Sequence, residues 1–389
     1  MKRKGIFFYM FILTLAFCFL PNKVLAASPP ATLTVDGVLV GTYGSVQEAV
    51  DAVTTTTGSN FVIEIAEGTV TDPLNIIQQP NKNVVIMPQP EASVTFTNTI
   101  NIDGNGNLSN PETLLIQGLT FDLTSGSPAE AIYFNLIPPD RPGFSYAHNV
   151  TINGCEFRGV FDATVAVQSV TGGTRNISIM NSTATDMHSL AQLKAVSGYA
   201  FIQNNTLSNS SEGVNFYGPG NLVIDSNRFD VTGYAVRSGQ GSGTITNAGS
   251  VTINNSILNS NSLDRGTVVL RGDSTNNINI VHSNITNANP NGPSIQNIND
   301  ASINSYNIDI VESNITGLIA GINPTTVNYI DDPNVENGPV SVLDIPDNGS
   351  DIFFVVIIIL FLLLIASCIL TIIKCKPYHP CRKRPKHCR

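Results

Sequence analysis

Six residues have the types and spacing to grip a charged polymer: Gln168, Lys194, Tyr217, Arg237, Arg271 and Gln296. They occur in the short phrases ATVAVQS, LAQLKA, EGVNFYG, GYAVRSG, GTVVLRGD and GPSIQN, each directly after an apolar residue: Val167, Leu193, Phe216, Val236, Leu270 or Ile295. In an extended strand successive side chains face opposite ways, so if the apolar residue points inward its successor points out. Strands stacked about 4.8 Å apart would bring the six into one ladder with a cationic and aromatic middle. Arginine forks suit carboxylates, and a tyrosine face suits a sugar ring. The expectation is a groove for an extended anionic glycan. The alternative is a solvated strand face whose arginines pair with Asp230, Asp264 and Asp273.

Catalytic residues are harder to assign. Asp186, Glu212, Asp230, Asp264 and Asp273 are the available carboxylates near these phrases, and they have no recognisable spacing. Glycoside hydrolysis needs two carboxylates converging on one bond, so the catalytic set is left unknown. No metal or cofactor is expected, because the Cys and His residues of the tail (Cys375, Cys381, Cys388, His379, His387) lack the C-x-x-C spacing of a zinc knuckle. Cys375 is a candidate for lipidation. Asn107, Asn149, Asn176, Asn181, Asn204, Asn209, Asn254, Asn284 and Asn314 each open an N-x-S/T triplet, as does Asn348. They are possible N-glycosylation acceptors. A turn Asn followed by a strand-favouring Thr or Ser explains the same triplets without a sugar.

The element that must carry the ladder is written seven times between Asn149 and Thr316. Its central pairs are Val150/Ile152, Ile177/Ile179, Ala200/Ile202, Leu222/Ile224, Val251/Ile253, Ile278/Ile280 and Ile308/Ile310, recurring every 22 to 30 residues. Period-two alternation predicts strands with one buried face. Corner-forming residues follow each pair (Asn153-Gly154, Asn181-Ser182, Asn204-Asn205 and so on), and then an apolar residue returns, such as Phe157, Leu207, Phe229 or Leu258. Fainter copies at Val84/Ile86 and Leu114/Ile116 extend the series. One such unit cannot bury its own apolar face, whereas stacked units seal one another. About nine coils of a parallel β-helix are expected. Propeller blades, at about 40–50 residues, are too long for this period.

Charge is unevenly distributed. The net charge is −9, yet the first 30 residues carry four basic side chains and the last 16 carry seven. All 29 acidic residues lie between, against nine basic ones. A surface so acidic repels phosphate backbones and argues against nucleic acid as a partner. Of the six cysteines only Cys155 lies in the repeats, so no disulfide is expected within them.

Residues 1–27 combine basic Lys2-Arg3-Lys4, an apolar run and small residues at Ala26-Ala27, the pattern of a cleaved secretory signal. The β-helix is expected over 28–322, with 28–70 as an N-terminal cap. In that cap a strand spans Leu33–Val40, a helix capped by Ser45 and Glu48 spans Val46–Val53, and a further strand spans Phe61–Ile65. Ser125–Ala147, rich in Pro and aromatics, is expected to leave the coil as a long loop. Residues 323–351 read as a C-terminal cap and stalk. Ile352–Ile373 is uncharged and long enough to span a bilayer once, and the basic tail 374–389 then faces the cytoplasm.

The stretch GSVQEAVDAVTTTTGSNFVIEIAEGTV, followed by NVVIMPQP, resembles the opening of pectin methylesterase-like and other pectin-lyase-like right-handed parallel β-helices. Those often begin with a helix around Q-x-A-[VIL]-[DN]-A, met here as Gln47-Glu48-Ala49-Val50-Asp51-Ala52, and then an apolar strand ending in Gly-Thr, here Gly68-Thr69. The resemblance implies the fold. It does not carry over an activity, because the paired-Asp, G-H-G, R-x-K and W-x-D-H signatures of those enzymes are missing from a chain with no Trp. The expected protein is therefore all-β, with an outward β-helix on a cell or virion membrane and a surface glycan as partner. Its expected role is adhesion or glycan binding. A membrane-tethered polysaccharide lyase or glycoside hydrolase and a structural coat component are the alternatives.

Overall fold

The structure is a computed structural model that describes residues 28–104, 112–134, 147–169, 174–194, 196–217, 220–239, 249–270, 277–297, 307–320 and 327–330. The signal sequence, Asn107, Arg271, Asp273, Asn348, the apolar run Ile352–Ile373 and Cys375 lie outside them. No helix among the described residues is long and apolar enough to cross a membrane.

Apart from one helix, the described chain is strand and turn, arranged as a parallel β-helix of three sheets with 13, 10 and 10 strands. Within each sheet, successive neighbours are strands three apart in sequence, as a coil of three strands requires. Ten complete coils result, one more than the sequence led us to expect. The additional coil begins at Asn60–Ile65, which was read as cap but pairs in parallel with Asn83–Pro88. Its own Phe61, Ile63 and Ile65 are fully buried. A partial eleventh starts at Val327–Ile330.

From coil 4 to coil 10 the first sheet matches the sequence reading residue for residue. Val150, Ile177, Ala200, Leu222, Val251, Ile278 and Ile308 form one column, and Ile152 to Ile310 form the next. After each strand the chain turns through a left-handed residue: Gly154, Asn181, Asn204, Ser226, Asn255, His282 and Glu312, with φ between 44° and 61°. That backbone suits Gly and Asn and explains why the corner is spelled as it is.

The next residue at this corner points inward and builds a buried polar ladder. The backbone N–H of Cys155 donates to Ser182 Oγ, that of Ser182 to Asn205 Oδ1, and that of Asn205 to Asn227 Oδ1. The series continues through Ser256 and Ser283 to Ser313, each bond reaching one coil onward at 2.9–3.1 Å. A buried amide without a partner costs about 1–3 kcal/mol, so the small polar residue here is structural. Replacing Asn227 with Leu strips the acceptor from Asn205 and the donor to the Ile202 carbonyl. A loss of about 2–4 kcal/mol is expected, read as a lower urea midpoint.

The second sheet supplies the largest core groups. Phe96, Phe121 and Phe157 stack with ring centres 5.5 and 5.0 Å apart, and all three are fully buried. The column continues through Ala184, Leu207, Phe229, Leu258 and Ile285. Cys155 is free and buried, and burial pushes its thiol up to about 11, so it behaves as a small apolar residue.

At the N-terminus, Leu33–Val40 is two strands, not one. Ala31–Val35 and Val38–Tyr43 form a hairpin turning at Asp36-Gly37, both left-handed. Asp-Gly is a strong two-residue turn signal, and it outweighs the apolar run around it. The helix runs Val46–Thr55, with Ser45 accepting from the Glu48 N–H and Val46, Ala49, Val50 and Val53 buried. Part of the expected loop Ser125–Ala147 is likewise regular: Glu130–Phe134 is the third strand of coil 3.

Candidate functional site

The third sheet carries the candidate site on its outer face, across coils 4 to 8. Its strands there are Val165–Ser169, Ser189–Leu193, Glu212–Phe216, Val236–Ser238 and Val268–Leu270. The inward columns run Val167, Ala191, Val214, Val236, Val268, Ile295 and Ser169, Leu193, Phe216, Ser238, Leu270.

This register corrects the expected ladder. Gln168, Arg237 and Gln296 share one outward column, filled between them by Gln192, Asn215 and Val269 and preceded by Tyr133 in coil 3. Lys194 and Tyr217 stand two residues further along their strands, each one residue past the second inward column. A slip of two residues keeps a side chain on its face, so all of these still point outward. Arg271 lies outside the described residues.

Three of the six nevertheless meet. The Lys194 ammonium lies 5.7 Å from the centre of the Tyr217 ring, and the Arg237 guanidinium lies 5.3 Å from it. Both cations thus lie over one aromatic ring, at distances where its quadrupole attracts them. Among the described residues, the alternative pairing of Arg237 with Asp230 or Asp264 is not seen. Among the described residues neither Lys194 nor Arg237 forms a carboxylate ion pair, and Arg237 Nε is buried without a hydrogen-bond partner.

Behind this pair is a second group that sequence reading only partly found. Glu212, 10% exposed, accepts from Asn215 Nδ2 at 2.6 Å. It faces His188 Nε2 at 3.5 Å and Arg265 Nη1 at 3.3 Å. The other ring nitrogen of His188 lies 3.7 Å from Asp162. Tyr234 is buried between Arg237 and Arg265, whose guanidinium carbons are each 5.5 Å from its ring centre. Burial, then the Glu212 carboxylate, push its hydroxyl well above the usual phenol range. It remains protonated, accepts from Arg237 Nη1 at 3.3 Å and donates to Glu212. Tyr234 and Glu212 therefore fix the attitude of Arg237.

The other carboxylates considered do not converge here. Asp186 accepts from Asn209, Asp230 lies on the second sheet, and the Asp264 carbonyl accepts from Gln296. No group of three or more His, Cys, Asp or Glu side chains among the described residues is placed to hold a metal ion. Of the sequon asparagines, Asn176, Asn181, Asn204 and Asn209 use their amide to bond a polar side chain of the preceding coil. Asn149 bonds the Glu112 carbonyl. Asn284 and Asn314 are exposed, and Asn254 is half-buried.

His188 and Tyr234 were missed because each precedes its strand's alternating run. Their signal was positional: one residue before Ser189 and two before Val236, where the coil enters the third sheet.

No protein-family model matches the chain, and no curated protein matches it. Among solved structures, the A-module of the mannuronan C-5 epimerase AlgE6 from Azotobacter vinelandii is similar over 75% of this chain and 95% of that one. The identity is 13% and the TM-score 0.44.

Proposed function

We propose that this chain is a membrane-anchored surface protein whose third sheet binds an extended acidic polysaccharide along coils 4 to 7. The observation that carries the reading is the pair of cations, Lys194 and Arg237, bracketing Tyr217 without a carboxylate partner among the described residues. An acidic sugar meets charge from the two cations, while Gln168 and Gln192 add amide groups beside them. The signal sequence 1–27 and the apolar run 352–373 support placement outward on a cell or virion membrane. The test is binding of full-length protein to acidic and neutral polysaccharides across a salt series. Affinity confined to acidic polymers and falling steeply with salt is expected; equal binding of neutral polymers defeats the reading.

The Glu212–His188–Arg265 group favours a second reading, in which the bound polysaccharide is also cleaved. Product appearance, read as unsaturated-uronate absorbance or new reducing ends, separates turnover from binding alone.

A further inference from the structure

Stacking the coils makes the N-x-S/T triplets unequal. Asn176, Asn181 and Asn204 donate their side-chain amides to an asparagine of the preceding coil at 2.7–2.8 Å, and Asn209 donates to Asp186. Asn149 accepts from Asn176 and donates to the Glu112 carbonyl. A sugar on any of these nitrogens competes with a bond that ties one coil to the next. At Asn254 the obstacle is the third residue of the triplet. Ser256 is 1% exposed, and its hydroxyl already donates to the Asn254 carbonyl and accepts from the Asn227 N–H.

Asn284 and Asn314 are placed differently. They are directly paired on the outer face of the second sheet, in coils 9 and 10. The backbone N–H of Asn284 donates to the Ser256 carbonyl at 2.8 Å, and that of Asn314 to the Ser283 carbonyl at 2.9 Å. The strand is therefore held while both side chains are exposed, and neither Nδ2 donates to another described residue. The hydroxyls of these triplets also face outward. Thr286 donates to Asn284 Oδ1 at 3.1 Å, which occupies the oxygen of that amide and leaves its nitrogen free, and Thr316 is exposed. Two triplets distant in sequence thus form one patch of free amide nitrogens and reachable hydroxyls.

We infer that, of the described asparagines, Asn284 and Asn314 are the acceptors of an N-linked oligosaccharide, and that those bonding between coils stay bare. In the transfer the asparagine Nδ2 bonds the anomeric carbon of a lipid-pyrophosphate-linked oligosaccharide. The anomeric C–O bond breaks, the lipid pyrophosphate leaves with its electron pair, and the amide proton passes to a base of the transferase. The inference rests on the secretory reading of residues 1–27, which brings the chain to the lumenal side, and does not involve the third sheet.

The experiment isolates full-length protein from the membranes of a eukaryotic secretory cell line. Peptide N-glycosidase in heavy-oxygen water then marks each formerly glycosylated asparagine as a labelled aspartate. The label is expected at Asn284, Asn314 or both. Occupancy at Asn176, Asn181 and Asn204 is expected to be about tenfold lower or less, because each sugar there opposes an inter-coil hydrogen bond. Thr286→Ala and Thr316→Ala, both on the surface, should each abolish the label in their own triplet with the fold intact. Equal or greater occupancy of the inter-coil asparagines overturns the assignment and leaves the secretory reading standing. So do bare Asn284 and Asn314 in a chain that protease protection places in the lumen. A chain wholly on the cytosolic side overturns both.

Discussion

Changing Lys194 and Arg237 together to Gln is expected to weaken acidic-polysaccharide binding by about a hundredfold or more, with the fold intact. Hydrogen bonds to charged groups contribute about 1.5–3 kcal/mol each, and the two cations lie over one ring. Gln is shorter than either side chain but is neutral, keeps two of the stem methylenes and retains an amide donor. The change therefore removes charge with little loss of packing. Neither side chain fills the core, so circular dichroism and the denaturation midpoint should hold. The salt dependence should flatten as well, because the screened interaction has gone. Unchanged affinity in this variant removes the third-sheet groove as the binding surface. Arg158→Gln on the second sheet, where Arg158 pairs with Glu156, is the matched control and should bind normally.

The largest effect on stability is expected at Phe121. Its ring is the middle of the Phe96–Phe121–Phe157 stack, so Phe121→Ala opens a void against two neighbouring coils at once. Phe→Ala in a packed core costs about 3–5 kcal/mol. In a solenoid stability is nearly a sum of coil terms and coil–coil interfaces, and here two adjacent interfaces lose their largest contact. A markedly lower midpoint in chemical denaturation is the expected reading. Phe229→Leu, at a position where the neighbouring coils already carry Leu207 and Leu258, should cost far less.

The contrast between the sheets shows what sequence could convey. From Val150 to Val311 the first sheet was legible because its strands sit at a fixed distance from a left-handed corner, which is most often Gly, Asn or Ser. The corner acts as a ruler for the strand before it. The third sheet has no such ruler. The connections that lead into it vary in length, so aligning Leu193 and Phe216 with Val167 was two residues out, although Val236 and Ile295 were aligned correctly. Because the slip was even, the outward assignment of Lys194 and Tyr217 survived it. His188, Tyr234 and the role of Glu212 needed the register itself, since they are brought together from different coils. The first coil was overlooked because Phe61–Ile65 follows the helix and carries no Asn corner after it, only Ala66-Glu67-Gly68.

The inward ladder from Cys155 to Ser313 gives the stack a direction. Every backbone amide in it looks forward for its acceptor, while the serine hydroxyls can also turn back to a carbonyl of their own coil, as Ser256 does to Asn254. At the ladder position itself, trimming a coil from the rear orphans an enclosed N–H, whereas the amide of the next residue faces the other way, as Thr206 N–H does to the Ser182 carbonyl. During synthesis, which also runs front to rear, each newly made turn remains provisional until its successor emerges to accept that proton. A chain interrupted within the stack thus ends on a coil whose inward corner amide lacks the acceptor that its successor would supply.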